Sequence, residues 1–171
     1  VYGASQEALD VGSQLNPKTF YGISKMHGEQ HLNRLHDSPI KVYTLRLGNV
    51  YGYSKSMRFD SVINKFVFEA NFMNNIHIFG DGNQVRSFIH IDRLSDILTK
   101  IGLKDLKPDT YNLVENSFNI NTITDELKIV YPNLETIYVN QNVNMRSLNV
   151  KQDSRLQDFI PNSQNTLKTD L

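Results

Sequence analysis

The sequence predicts an α/β fold, and three observations lead to that prediction. Segments rich in β-branched and aromatic residues alternate with amphipathic segments along the 171 residues. This alternation is typical of strands joined by helices. Turn-forming clusters of Gly, Asn, Ser and Pro separate the segments, and no internal repeat or low-complexity linker interrupts them. The length suffices for one domain with its own core, or for a large part of a bigger protein.

The first third of the chain predicts a helix, a strand and a second helix. The first helix has Pro17 in its first turn and stops at Ser38-Pro39, since proline is tolerated at a helix start and disfavours its continuation. The strand that follows is rich in β-formers and ends at Gly48-Asn49. The predicted bounds are 17–37 for the first helix, 40–47 for the strand and 60–72 for the second helix.

The middle of the chain predicts a hairpin followed by a helix. Two strand-like segments flank Gly80 to Asn83, whose glycine, aspartate and asparagine residues favour a tight turn. Asp92 is a good N-cap for the next helix, because its carboxylate can accept hydrogen bonds from unpaired backbone N–H groups. The predicted bounds are 76–79 and 85–91 for the strands and 92–103 for the helix.

The last third predicts short elements of both kinds. A strand over 111–114, a helix over 122–130 and a strand over 136–139 follow in order. Residues 153–171 read as two short helices broken at Pro161.

Composition excludes several classes of function. Eighteen basic and eighteen acidic residues leave no net charge, which argues against a nucleic-acid-binding surface. The absence of cysteine excludes disulfides, thiolate zinc sites and a cysteine nucleophile, and fits a reducing compartment. No apolar run is long enough to span a bilayer and no signal peptide is evident, so we expect a cytoplasmic protein without a membrane partner. Because the first residue is not methionine, we expect a segment upstream.

Tyr21 and Lys25 are candidate catalytic residues, because four residues on a helix bring two side chains onto one face. There the ammonium favours the phenolate, so the tyrosine can act as an acid or base. A second pair at the same spacing, Tyr51 and Lys55, follows a strand and falls in a predicted loop, where that spacing does not align side chains. His27 and His31 do not form a zincin-type metal site, because glycine occupies the position that needs glutamate.

Two further residues have both a functional and an ordinary interpretation. Asn49 follows the end of a strand, where open α/β sheets bind ligands, but it also reads as a turn residue. Arg86 follows the predicted turn and offers a guanidinium fork to phosphate, or it is an exposed strand arginine. We expect His90 and Asp92 to be structural.

A series of short motifs runs through the whole chain and carries a family resemblance. In this order the motifs resemble the extended short-chain dehydrogenase/reductase family, specifically its nucleotide-sugar epimerases and dehydratases. The motifs are Val1-Tyr2-Gly3, Pro17 with residues 21–25 and Glu29, residues 45–52, residues 79–92, residues 111–113, and residues 153–156 with 159–161.

The resemblance implies roles for individual residues. Tyr21 would be the catalytic acid/base, and Lys25 would hold the nicotinamide ribose of the cofactor. Asn49 would contact the substrate diphosphate. Phe79 would line the pocket for the nucleotide base, Arg86 and Arg146 would clamp the two phosphates, and Asn149 matches a position where some relatives carry a ribose-binding aspartate.

The resemblance also implies the fold and its organisation. It predicts the carboxyl-terminal part of a Rossmann-type doubly wound parallel sheet plus a small α/β substrate-binding domain. Residues 1–54 would belong to the NAD-binding domain, whose first half is absent, and residues 55–171 mainly to the substrate-binding domain, with 86–103 returning to the Rossmann domain. The family's glycine-rich turn and the serine or threonine that polarises the sugar carbonyl do not occur in the sequence.

The expected function is NAD-dependent epimerisation of a nucleotide-diphosphate sugar through a keto-sugar, with Tyr21 as acid/base. A 4,6-dehydratase, an NADPH-dependent keto-sugar reductase and a non-catalytic nucleotide-sugar-binding remnant remain alternatives, so NADP is possible as the cofactor. We expect these 171 residues alone to be inactive, and a full-length parent to be a homodimer. Epimerisation is preferred as the plainer outcome, since nothing in the sequence demands loss of water.

Overall fold

The fold is described from a computed structural model of the chain, for residues 1–5, 7–35, 37–160 and 167–170. Helices and strands alternate along most of it, as the sequence predicts. The helices are α1 Phe20–Asn33, α2 Val62–Met73, α3 Ile91–Leu103, α4 Ile120–Val130 and α5 Leu167–Asp170, with a 3₁₀ helix at Ser154–Phe159. The strands are β1 Thr44–Leu47, β2 Asn49–Tyr51, β3 Asn75–Phe79, β4 Val85–His90, β5 Thr110–Leu113, β6 Asn116–Asn119 and β7 Glu135–Val139.

Within the described ranges the strands form three small sheets, mostly parallel. β1 pairs with β5 and β3 pairs with β7, both in parallel. In the third sheet β4 lies between β2, which is parallel to it, and β6, which is antiparallel. Parallel neighbours joined through helices are the hallmark of α/β proteins, so the predicted fold class is confirmed.

The predicted hairpin between the third and fourth strands is wrong. The turn residues are present, with Gly80 and Gly82 at φ of 80° and 78°, a conformation that glycine adopts without steric cost. The strands on either side nevertheless pair with different partners, because β3 joins β7 while β4 joins β2 and β6. The turn residues set the local direction of the chain. Here the chain passes from the sheet that contains β3 to the sheet that contains β4.

Gly48 marks a transfer between sheets and not the end of the strand region. Its N–H donates to the Leu113 carbonyl at 3.0 Å, which ends the pairing of β1 with β5. A Cβ at this position would lie 3.0 Å from the Ser87 carbonyl oxygen, so glycine allows the chain to come close to β4. β2 then begins at Asn49, which is opposite Phe88 in the parallel register.

Two predicted helix starts are corrected. α1 begins at Phe20 and is capped by Thr19, whose hydroxyl accepts from the Gly22 N–H at 3.1 Å. Pro17 therefore lies before the helix and not in its first turn, because Thr19 is the N-cap. The cap of α3 is His90, whose Nδ1 accepts from the Asp92 N–H at 3.3 Å. Asp92 lies in the first turn of α3, where its negative charge interacts favourably with the positive end of the helix dipole. Pro161 lies outside the described residues.

Two main hydrophobic cores meet at β4. One forms between α2, β3, β4 and α4, and the other between β1, β5, α3 and the 3₁₀ helix. Because side chains alternate along a strand, Phe88 points into the first core and the next residue, Ile89, into the second. β4 is therefore the wall between them. Among the described residues no helix combines the length and apolar character needed to cross a membrane.

Candidate functional site

A cleft of about 360 Å³ brings together three residues that the sequence singles out. Asn49, Phe79 and Arg86 all line it, although they come from β2, β3 and β4. The residues that complete the lining come from the loop before α2, from α2 itself and from later segments. They are Arg58, Asp60, Ser61, Val62, Lys65, Phe66, His77, Ile78, Gln84, Ile120 and Met145.

Arg86 is the cation of this cleft that has no carboxylate partner among the described residues. Its guanidinium donates to the carbonyls of Val85 at 2.8 Å and Arg146 at 2.5 Å. Burial lowers the pKa of Arg86, because a charged group loses hydration there. A half-buried guanidinium paired with backbone alone is ready to bind an anion.

The other cations that line the cleft already have acidic partners. Arg58 pairs with Asp60 at 2.6 Å, and Lys65 lies 3.6 Å from Glu69, one helical turn away. A charged ligand at either cation must compete with that carboxylate. Arg86 is consequently the preferred attachment point for a charged ligand.

Asn49 lies beside Arg86 because β2 and β4 are neighbours. Its side-chain amide donates to the Ser87 carbonyl at 3.0 Å, which holds the side chain across the two strands. The asparagine is exposed and stands just past the end of β1. An amide fixed in this way adds neutral hydrogen-bonding capacity next to the guanidinium.

Phe79 supplies a flat apolar surface at another side of the cleft. It ends β3 and is 51% exposed. Its carbonyl accepts from Nε2 of Gln84 at 3.0 Å, and Gln84 itself is buried. At the adjacent Gly80 a Cβ would lie 2.8 Å from the Val143 carbonyl oxygen. The chain around Val143 and Met145 thus packs directly against the phenylalanine end of β3.

Arg146 reaches the site through its backbone. Its carbonyl accepts the Arg86 hydrogen bond, its neighbour Met145 lines the cleft, and its own side chain is exposed. Asn149 lies further along, half-buried, with its carbonyl accepting from the Leu9 N–H at 2.8 Å. The structure therefore brings Arg146 next to Arg86 and ties Asn149 to the amino-terminal segment.

Tyr21 and Lys25 are adjacent on α1 but outside the described lining of the cleft. The Lys25 ammonium lies 5.5 Å from the centre of the Tyr21 ring, and the tyrosine is 73% exposed. Asp60, which accepts hydrogen bonds from Arg58, is the main cause that raises the pKa of Arg58, and the field of Tyr21 adds to it. The predicted pair thus shares a helix face that is open to solvent in this chain.

The second tyrosine–lysine pair has a structural explanation. Tyr51 is buried, and its hydroxyl donates to an Asp170 carboxylate oxygen at 2.7 Å. Burial is the main cause that raises the pKa of Tyr51, and the hydrogen bond with Asp170 adds to it. Arg93 contacts both groups and also forms an ion pair with Glu115. This tyrosine therefore belongs to a buried polar network.

Sequence reasoning missed Lys65 and Gln84 as lining residues. Lys65 lies inside an amphipathic helix, where a lysine normally reads as surface charge, and Gln84 lies beside a turn. Neither has a spacing signal, because both reach the cleft through pairing between distant segments.

A second cavity of about 410 Å³ is less suited to a charged ligand. Its lining is mainly aromatic and aliphatic and includes Tyr53, Phe59, Phe68 and Phe72. Among its described lining residues the charged group is Asp170, which is engaged with Arg93. We therefore place the candidate site in the smaller cleft, where an unpaired cation is available.

Parallel strands joined by helices define the chain as an α/β protein, and the guanidinium of Arg86 makes the cleft a candidate anion-binding site. The model of the NAD dependent epimerase/dehydratase family matches residues 1–113. The chain belongs to this family. The resemblance noted in the motifs is thereby confirmed.

Individual relatives share part of the chain. An uncharacterized UDP-glucose epimerase of Bacillus subtilis, YtcB, is 30% identical over 115 residues, covering 66% of this chain and 36% of the relative. The dTDP-4-dehydro-6-deoxy-D-allose reductase of Streptomyces bikiniensis is 41% identical over 80 residues, covering 43% of this chain and 24% of the relative. These matches span about a quarter to a third of the relatives' own lengths.

A solved structure shares the fold across nearly the whole chain. TunA, an NAD-dependent NDP-hexosamine 5,6-dehydratase involved in tunicamycin biosynthesis, matches with a TM-score of 0.85 and 22% identity. The match covers 99% of this chain and 57% of TunA. The chain thus spans little more than half the length of this neighbour.

Proposed function

We propose that this chain is the carboxyl-terminal part of an NAD-dependent enzyme that epimerises a nucleotide-diphosphate sugar. The observation that carries the proposal is the half-buried Arg86 guanidinium, which lines a cleft with Asn49 and Phe79 and has no acidic partner among the described residues. A diphosphate suits such a guanidinium, because phosphate oxygens match the fork of N–H donors.

Each side of the cleft suits one part of such a substrate. Arg86 binds the diphosphate, and the exposed Arg146 next to it supplies the second guanidinium. Asn49 donates to or accepts from the same group. Phe79 stacks on the nucleotide base, since a half-exposed ring at the end of a strand offers a flat apolar surface. In this proposal the sugar extends from the diphosphate past Arg58, which lines the cleft, toward Tyr21.

Tyr21 and Lys25 perform the acid/base work. The Tyr21 phenolate takes the proton from a sugar hydroxyl and the resulting phenol returns it, with the Lys25 ammonium 5.5 Å from the ring centre. The exposed hydroxyl and ammonium also fit the hydroxyls of a nicotinamide ribose, which need one donor and one acceptor nearby. Tyr21 and Lys25 would hold the ribose of NAD, which would supply the hydride acceptor and donor for the sugar carbon. Return of hydride to the other face of the keto-sugar gives the epimer.

A reductase of the same family is the second candidate. It is favoured by the 41% identity to a dTDP-4-dehydro-6-deoxy-D-allose reductase, and it would use the same tyrosine and lysine with NADPH. The 4,6-dehydratase and the non-catalytic binding remnant remain alternatives. They would bind the nucleotide sugar in the same cleft and differ from the epimerase only in the reaction that follows. A basic residue following the second strand of the dinucleotide-binding part would favour NADP, and an acidic one NAD.

The proposal includes the organisation of a longer parent. Residues 1–54 and 86–103 belong with the dinucleotide-binding domain, and the rest of 55–171 mainly with the substrate-binding domain. This division is supported by α3, which packs in one core with β1 and β5, whereas α2 and α4 pack in the other. We further propose a cytoplasmic, homodimeric parent, and no turnover by the 171 residues alone.

Calorimetric titration of UDP into the 171-residue chain tests the proposal. UDP is chosen because one relative's name carries UDP-glucose. We expect Arg86→Ala to weaken binding by about 10-fold to 100-fold, the effect of losing charge-assisted hydrogen bonds. Arg34→Ala removes an exposed arginine from the end of α1 and is the matched control, with unchanged affinity. Equal UDP affinity in the unsubstituted chain and in Arg86→Ala would contradict the proposed site. Absence of UDP binding to the unsubstituted chain would contradict it as well.

A further inference from the structure

The helix that carries Tyr21 and Lys25 is held to the fold by little apolar contact. Of its 14 residues only Gly22 is buried among the described residues, and Phe20 and Leu32 are exposed. A helix fixed by an apolar face normally buries residues at each turn. Some other interaction must therefore set the direction in which the tyrosine and the lysine point.

That interaction is a buried ion pair between Glu29 of α1 and Arg46 of β1. The Arg46 Nε lies 3.1 Å from both carboxylate oxygens of Glu29, and Nη2 lies 2.7 Å from Oε2. The two side chains are only 12% and 13% exposed. Burial acts to lower the pKa of Arg46, but hydrogen bonds with Glu29 and Tyr2 outweigh it and the pKa is raised.

Further contacts fix the arginine itself. Its Nη1 donates to the Tyr2 hydroxyl at 2.8 Å and to the Val11 carbonyl at 3.1 Å, and the guanidinium lies over the Tyr2 ring at 4.9 Å. The Tyr2 hydroxyl donates in turn to Oδ1 of Asn112 on β5 at 2.5 Å. The guanidinium plane is thus held from the strands and from the amino-terminal segment, and the carboxylate must approach it in that plane.

Glu29 occupies the right place on the helix to transmit this constraint. It follows Lys25 by one turn and Tyr21 by about two, so the three residues lie on one side of α1. A planar fork at one end of this stripe resists rotation of the helix about its axis. A single-point contact, as lysine would make, does not.

We propose that Glu29 and Arg46 are positioning residues that fix the rotation of α1 and thereby the direction of Tyr21 and Lys25. The geometry of the pair supports the positioning role, and its catalytic consequence rests on the proposed function. Neither residue belongs to the cleft's described lining, so the pair acts through the helix. Buried ion pairs add little net stability compared with apolar residues but can specify geometry, which is the role assigned here.

Distance measurement by double electron–electron resonance tests the proposal in the 171-residue chain. The chain has no cysteine, so spin labels at Ser24→Cys on α1 and Lys128→Cys on α4 are the sole labels. We expect a single narrow distance distribution in this doubly labelled parent and in Gln30→Ala, which alters the exposed neighbour of Glu29. Glu29→Ala and Arg46→Lys are expected to widen the distribution at least twofold.

A thermal unfolding transition in each variant shows whether it is folded. Where Glu29→Ala fails to fold, Arg46→Lys decides between the outcomes, because it keeps both charges and removes the planar guanidinium. An unchanged narrow distribution in folded Arg46→Lys would overturn the proposal. A widened distribution together with UDP affinity within twofold of the parent supports it, since the cleft is built from other strands.

Turnover separates this inference from the proposed function. In a chain that also carries the dinucleotide-binding part, Arg46→Lys is expected to lower kcat by about 10-fold or more with KM for the nucleotide sugar within twofold. Equal losses of kcat in Arg46→Lys and Gln30→Ala would overturn the positioning role. If the unsubstituted protein showed neither UDP binding nor turnover, only the proposed function would be contradicted. The positioning role would still be tested, because the distance distribution reports the orientation of α1.

Discussion

Arg86 shows how the partners of a single residue distinguish a binding group from surface charge. Arg58 and Lys65 line the same cleft, but each is paired with a carboxylate of its own segment. A ligand at either must compete with that partner, whereas a ligand at Arg86 replaces only backbone contacts. The half-buried position strengthens an added charge-assisted hydrogen bond. The difference between the three cations thus lies in their neighbours.

The two tyrosines that precede a lysine by four residues predict opposite effects of the same substitution. In a chain that also carries the dinucleotide-binding part, Tyr21→Phe is expected to lower kcat by about 10²-fold to 10⁴-fold, the usual contribution of an acid/base group. Because the hydroxyl is exposed, the free energy of unfolding should change by less than about 0.5 kcal/mol. Steady-state kinetics and urea unfolding measure the two quantities.

Tyr51→Phe is the matched control for that prediction. Its hydroxyl is bound to Asp170 within a buried network, so its loss leaves a carboxylate with one partner fewer. We expect a destabilisation of about 1–2 kcal/mol with kcat within about threefold of the parent. A larger kinetic defect in Tyr51→Phe than in Tyr21→Phe would contradict the assignment of the acid/base.

Only some of the site residues have a signal in the sequence. The spacing of Tyr21 and Lys25 predicts a shared helix face, and the lysine does lie over the tyrosine ring. Arg86 gains its meaning from the series of motifs, because a strand arginine by itself is ordinary. Lys65 and Gln84 were missed, since the pairing of β2 with β4 that brings the cleft together is set by contacts between distant segments.

At the scale of elements, the 3₁₀ helix shows how one arginine joins two segments. Arg155 donates to Asp153, which caps this helix, at 3.0 Å and 2.7 Å, and to Asp109, which precedes β5, at 2.6 Å. The hydrogen bond with Arg155 is the main cause that lowers the pKa of Asp153. For Asp109 the main cause of a lowered pKa is the Thr110 N–H, with Arg155 adding to it.

These lowered pKa values predict a pH dependence of stability. An aspartate whose pKa is lower in the folded state binds fewer protons there than in the unfolded chain. The stabilisation is therefore fully present above the usual aspartate pKa of 3.8 and is lost as pH falls through the lower folded value. Urea unfolding at pH 7, 5, 4 and 3 should show a falling free energy of unfolding over the last two steps.

Asp153→Asn isolates the charge, because asparagine caps helices about as well as aspartate. We expect a loss of about 1–2 kcal/mol at pH 7, reduced by the partial exposure of Arg155, and a smaller decline in stability between pH 5 and pH 3. Asp105→Asn, which breaks an exposed ion pair with Lys41, is the control, with a change at pH 7 below about 0.5 kcal/mol. Equal acid sensitivity in Asp153→Asn and the parent would contradict the linkage.

The elements that the sequence predicts best are those with a strong local pattern. Seven elements lie within two residues of their predicted bounds, because hydrophobic periodicity is a local property; they are α2, β3, β4, α3, β5, α4 and β7. β6 was missed since Asn116 and Asn119 are poor strand formers, and its pairing with β4 overrides their propensity. The hairpin was wrong for the same reason: a turn sequence does not reveal that β7 is the partner of β3.

At the scale of the whole molecule, β4 connects the two cores and the cleft. Its alternating residues face one core and then the other, and Arg86 near its start faces the cleft. The helix with Tyr21 and Lys25 is joined to β1 by the Glu29–Arg46 ion pair, whereas Phe79 ends β3. An arrangement of this kind suits a reaction in which one part of a substrate is held while another part is oxidised and reduced.

The most direct test of the proposed site is to locate where a nucleoside diphosphate binds on the chain. Nuclear magnetic resonance of the isotope-labelled 171-residue chain measures the backbone amide shifts during UDP titration. The shift changes locate the site residue by residue. We predict the largest changes at Asn49, Phe79, Arg86 and Arg146, with saturation. Changes concentrated instead around Phe59, Phe68 and Phe72, or no saturable change at all, would contradict the account.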